Sequence, residues 1–131
     1  MQVSATKIPN AEERKGQVAL KAFFNITQEW GCSSADRQKL LGEVARSTLN
    51  NYAKLPAVRL NRDVIERISY IMGIYKALNI LYPNRELANR WIHQPNQALP
   101  FNGISALEFM TRGSIIHLAE TRRYLDAQRG W

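Results

Sequence analysis

The sequence predicts an all-α chain in two helical parts joined by one long central helix. Three observations predict it. Apolar residues recur at spacings of three and four, no useful run alternates apolar with polar residues as a strand would, and glycine or proline marks the breaks. A length of 131 residues with 45% hydrophobic content is enough for a real core.

Residues 1–16 carry Pro9, few apolar positions and several charges, and read as a flexible N-terminal arm. From Gln17 to Trp30 the positions Leu20, Phe23, Ile26 and Trp30 follow a helical period that Gly31 stops. Ser33 to Asp36 offer caps for a short second helix carrying Leu40 and Leu41 and ending at Gly42. A third short helix spans about Ala45 to Lys54, with Pro56 preventing easy continuation. Asn61 caps a long helix running to Tyr82, with Val64, Ile68, Ile71, Tyr75, Leu78 and Tyr82 on its apolar face and Ile65, Met72 and Leu81 widening it. Gly73 within it suggests a close helix crossing.

Beyond Pro83 the pattern breaks into shorter pieces. Asn84 caps a helix through Trp91 and Ile92, and a proline-interrupted loop runs from His93 to Gly103. Ser105 and Glu108 form an S-x-x-E box that opens a helix ended by Gly113. A last helix from Ser114 to Gln128 turns Ile115, Leu118 and Leu125 inward. The expected organisation is an arm over 1–16, a first domain over 17–82 that includes the long helix, and a small helical domain over 83–131.

Composition excludes several functions. No segment approaches the roughly 20 uninterrupted apolar residues of a membrane-spanning helix, and the N terminus lacks the apolar centre of a secretory leader, so a cytoplasmic location and no membrane partner are expected. Cys32 is the sole cysteine, so no internal disulfide or cysteine-built zinc site is expected, and His93 and His117 lack metal-ligand spacing. Phosphate-cradling glycine strings are absent and no nucleophile or acid–base cluster is evident, which argues against an enzyme and against a cofactor.

The formal charge of +7 suits nucleic acid, an acidic protein or an anionic surface, and its distribution narrows the choice. Between Arg37 and Arg62 six cations face Glu43 alone, whereas from Pro83 onward six arginines face four carboxylates. Helix, glycine-marked turn and short helix in the basic stretch is the order of a helix-turn-helix. Leu49 and Tyr52 would hold the second helix to the core while Asn50 and Asn51 meet adenine edges, Arg46 meets guanine or phosphate, and Ser47, Thr48 and Lys54 meet the backbone. An ordinary solvated helix has the same composition.

Three strings carry a resemblance: LLGEVARSTLNNYAK, LNRDVIERISYIMGIYKALNILYP, and the segment from Asn84 to the end. The last contains Trp91, Pro95-Asn96, Phe101-Asn102-Gly103, Leu107, Met110, Gly113 and Tyr124-Leu125-Asp126. The chain thereby resembles the Xre/MbcA/ParS antitoxins of bacteria, which pair with RES-domain toxins. The resemblance implies an Xre-like helix-turn-helix bundle joined by the long helix to a small C-terminal toxin-binding domain. It further implies a toxin that degrades NAD or uses it to modify a target, an antitoxin that covers the toxin's active-site entrance, binding to the operator of the shared operon, and association into homodimers or higher assemblies.

Toxin-contacting candidates on this basis are Trp91, Asn96, Phe101, Asn102, Met110, Arg122, Arg123, Tyr124, Arg129 and Trp131. The arginines and the terminal Trp131 have the charge and shape to plug a cleft made for the NAD pyrophosphate. Two departures stand out: the turn after Gly42 is one residue longer than the resemblance leads one to expect, and the loop carries Gln97-Ala98-Leu99-Pro100 between Asn96 and Phe101. A stand-alone transcription regulator with a C-terminal dimerisation domain is the alternative reading.

Overall fold

The computed structural model describes residues 8–130, which form seven helices and no strand. Helix α1 (Ala11–Glu29) begins at Ala11 rather than Gln17. Asn10 and Glu13 exchange side-chain-to-backbone hydrogen bonds of 2.8 and 3.0 Å, a capping box that the charged composition concealed. Residues 11–16, expected in the mobile arm, are therefore helical; residues 1–7 lie outside the described residues. Gly31, at φ +67°, ends α1 as expected, with the Cys32 N–H donating to the Thr27 carbonyl and the Gly31 N–H to that of Gln28.

Helix α2 (Ser34–Leu40) is opened by a second reciprocal cap, between Ser33 and Asp36. Gly42 and Glu43 both adopt positive φ, +89° and +63°, and their N–H groups close the end of α2 on the Lys39 and Gln38 carbonyls. The Gln38 side-chain amide donates to the Val44 carbonyl at 3.0 Å, so the turn is bonded across its width. Helix α3 (Arg46–Tyr52) follows, shorter at each end than expected, with Leu49 buried and Tyr52 half-buried. The connector then returns along α1: the Gln17 amide donates to the Leu55 carbonyl at 2.7 Å, and Gly16 lies directly under the Val58 carbonyl.

Helix α4 (Arg62–Leu81) is capped by Asn61, whose side chain accepts from the Val64 N–H at 2.9 Å. Val64, Ile68, Ile71 and Leu78 are buried as the periodicity predicts, and Ile74 and Ala77 join them. Met72, expected to widen the buried face, is 43% exposed, because α1 and α7 cover the other sides of α4. Gly73 does mark a close approach, filled by the Arg122 guanidinium of α7 rather than by helix backbone.

Helices α5 (Arg85–Trp91), α6 (Ala106–Met110) and α7 (Ile115–Gln128) complete the chain, capped by Asn84, Ser105 and Ser114. At α6 the Ser105 hydroxyl accepts from the Glu108 N–H at 3.1 Å, the forward half of the expected box. Leu118 and Leu125 point inward, whereas Ile115 is half-buried. One continuous hydrophobic core runs from Leu20 and Phe23 of α1 through α4 to Phe101, Phe109, Leu118 and Leu125. Helix α4, expected in the first part alone, thus packs against α1 on one side and α7 on the other.

Candidate functional site

Two faces collect the candidate residues. On α3, Leu49 is 3% exposed and pins the helix to the core, which turns Arg46, Ser47, Asn50 and Asn51 outward with Thr48 at their edge. Lys54 is exposed too, but it stands beyond α3, in the turn that leads to Leu55. Ala45 gives α3 no side-chain cap, unlike the other helices. Between α2 and α3 a hollow of about 340 Å³ is lined by Gln38, Lys39, Glu43, Val44 and Ala45. The arrangement presents amides, hydroxyls and cations on one short, outward-facing helix, as reading a major groove requires.

The second face is built on an aromatic cluster. Phe101 meets Trp91, Phe109 and Tyr124 edge-on at 5.8, 5.4 and 5.2 Å, and Trp91 stacks on Tyr124 at 6.2 Å. Such geometries match the positive ring edge of one residue to the negative face of another. Phe101 and Met110 are 2% and 1% exposed, so neither can touch a partner directly. Both were expected among the toxin contacts; the structure places them instead in the core beneath Trp91 and Tyr124. Asn96 is likewise internal to its loop, its side chain accepting from the Ala98 N–H and its backbone paired with Ile104 and Gly103. Asn102 is exposed at φ +58°, Trp91 and Tyr124 are half-buried, and Trp131 lies outside the described residues.

The arginines divide. Arg122 Nε donates to Asp126 at 3.2 Å while its guanidinium covers Gly73, and Arg129 pairs with the same carboxylate at 3.5 Å with its side chain 8% exposed. Arg122 thereby ties α7 to α4, and Arg129 is engaged at the end of α7 by Asp126, so neither stands as an unpaired cation. Arg123, one residue on from Arg122, is exposed and has no ion-pair partner among the described residues.

Arg123 and Tyr124 instead line a hollow of about 280 Å³ together with Leu99, Pro100, Glu120 and Ala127. Leu99 and Pro100 belong to the loop segment singled out in the sequence as a departure from the resemblance, whereas Glu120 and Ala127 were not foreseen. Glu120, Arg123, Tyr124 and Ala127 share one face of α7 by their spacing of three and four, a signal present in the sequence. Leu99 had only the departure in loop length to mark it, because a single leucine in a polar loop has no periodicity.

Elsewhere little chemistry gathers. Burial, then the nearby Asp36 carboxylate, pushes the Cys32 thiol up to about 12 against the lowering effect of Arg37, leaving it protonated at neutral pH. His93 Nε2 bonds the Trp30 carbonyl, and His117 packs edge-on to Phe109 at 4.8 Å. Among the described residues no group of three His, Cys, Asp or Glu could hold a metal ion, and no helix is long and apolar enough to cross a membrane.

Comparison with known proteins divides the chain within α4. Residues 10–73 match the antitoxin Xre-like helix-turn-helix domain, and residues 77–130 match the antitoxin Xre/MbcA/ParS C-terminal toxin-binding domain. A relative in Sinorhizobium fredii, described as uncharacterized protein y4oB, is 41% identical over 122 residues that cover 93% of this chain and 92% of its own length. With an outward helix of amides, hydroxyls and a cation in the first match and an aromatic-backed hollow in the second, the chain belongs to the Xre/MbcA/ParS family of antitoxins, which join a DNA-binding helix-turn-helix to a toxin-binding domain.

Proposed function

We propose that this antitoxin neutralises a RES-domain toxin by covering the entrance to its NAD-handling active site, and that it binds the operator of its own operon through α3. The toxin's class rests on the resemblance of the segment from Asn84 onward, and the mode of inhibition on the face formed by Tyr124, Arg123 and Leu99. The single observation that carries the reading is the division of labour along the chain. Hydrogen-bonding residues occupy the outward side of α3, while the second match presents an exposed arginine beside an apolar hollow.

Operator binding calls for two copies, since helix-turn-helix proteins read paired half-sites about 34 Å apart. The antitoxin therefore acts as a homodimer or within a larger toxin–antitoxin assembly. Co-expression with each flanking reading frame tests the proposal, with growth and cellular NAD as readouts. NAD should fall when the toxin is made alone and hold when this chain accompanies it. Growth arrest relieved by the chain, with NAD unchanged and no NAD-derived modification of cellular protein throughout, would exclude a RES toxin. Repression of the operon by the chain without any toxin to neutralise would favour the stand-alone regulator.

A further inference from the structure

We propose that Leu99 is the anchor of the toxin interface and a determinant of partner choice. The toxin side chain received in the hollow between Leu99 and α7 is apolar, and a toxin carboxylate beside it pairs with Arg123. The inference rests on the toxin-binding assignment of residues 77–130, not on the toxin being of the RES class.

Leu99 is 76% exposed, more than any other large hydrophobic side chain described within that match. An exposed leucine on a mobile loop is common and uninformative. This loop is pinned on both sides. Before Leu99, the Asn96 side chain accepts from the Ala98 N–H at 2.9 Å; after it, the Ala98 carbonyl accepts from the Phe101 and Asn102 N–H groups at 2.9 and 3.0 Å. The Gly103 N–H closes the loop on the Asn96 carbonyl at 2.8 Å, and the buried Phe101 ring fastens it to the aromatic cluster.

The backbone that carries Leu99 is therefore ordered before any partner arrives. Much of the entropy usually lost when a loop engages a partner is already lost in folding, so the apolar contact translates into affinity with little deduction. Interface anchors are apolar or aromatic groups in a pocket with a polar surround. Leu99, Pro100, Tyr124 and Ala127 supply the apolar wall, and Glu120 and Arg123 the polar edge. Arg123 is the cation of α7 left for a partner, since Asp126 engages Arg122 and Arg129. A toxin with a charged group facing Leu99, or a cation facing Arg123, is rejected by desolvation or repulsion; the same contacts thus confer selectivity.

The test uses the full chain and, as probe, the flanking gene product whose growth arrest the wild-type chain relieves. Binding is measured by calorimetry for wild type, Leu99→Met, Leu99→Ala, Leu99→Asp and Arg123→Ala, with thermal melting and DNA affinity as controls for folding. Leu99→Ala should weaken toxin binding roughly 10–50-fold and Leu99→Asp more, with Leu99→Met near wild type and melting and DNA affinity unchanged. Arg123→Ala should weaken binding several-fold and reduce its salt dependence. Equal affinity of wild type and Leu99→Asp would overturn the inference while leaving the toxin reading intact. No flanking product bound by wild type would overturn both, and loss of binding by Leu99→Asp with a toxin that neither consumes NAD nor modifies a target with it would overturn only the RES assignment.

Discussion

At the scale of single residues, packing reverses what intrinsic preference suggests. Glycine inside a helix costs about 1 kcal/mol relative to alanine where it is exposed, so Gly16→Ala would ordinarily stabilise α1. Here a Cβ at Gly16 would sit 1.8 Å from the Val58 carbonyl oxygen, a backbone atom held in the connector between α3 and α4. Gly16→Ala should therefore lower stability by about 1–3 kcal/mol, seen as a reduced melting temperature. Cys32 shows a second local effect. Its thiol titrates near 12 in the folded chain against an ordinary value of 9.0, so burial of the neutral form favours folding below pH 9 and that contribution is lost as pH rises towards 12. Alkylation of folded protein at pH 8 should be far slower than of denatured protein; equal rates would mean that the thiol is not shielded.

At the scale of elements, the caps were legible because they are local. Ser33, Asn61, Asn84 and Ser105 each accept a backbone N–H where the sequence indicated a helix start. The start of α1 was missed because a polar, charged first turn with a cap at Asn10 looks the same as a solvated arm until Gly16 meets Val58. Helix α3 retained its predicted orientation: Leu49 inward fixes which way Asn50 and Asn51 face. If Arg46 and Lys54 contact phosphate, replacing either with alanine should reduce the slope of log affinity against log salt by about 0.9. Stability should stay within about 0.5 kcal/mol of wild type, since both are exposed. An unaltered salt slope in a titration with operator DNA would remove that residue from the interface.

At the scale of the whole molecule, the two family matches meet on one helix. Helix α4 packs against α1 on one side and α7 on the other, and the hydrophobic core passes through it without a break. The matched segments are therefore functional divisions rather than independent folding units. A fragment ending at Tyr82 should melt well below the full chain or fail to fold cooperatively, because removing α7 strips apolar cover from α4. The full chain should show a single calorimetric transition; two well-separated transitions would contradict a shared core. The turn at Glu43 also lies against Gly113 between α6 and α7, so the DNA-reading motif and the toxin-binding half touch directly as well as through α4.

By itself the sequence determined the helical class, the long central helix, the caps and the inward register of α3. Helical period and capping act over a few residues, so a linear string contains them. Only the tertiary structure decided which toxin-face candidates are surface and which are support. Phe101 and Met110 became the floor, Arg122 and Arg129 became ties to Asp126, and Leu99 with Arg123 became the exposed edge. The physical reason is that burial and ion pairing depend on what lies across the fold, and neither composition nor spacing records which neighbour each side chain meets.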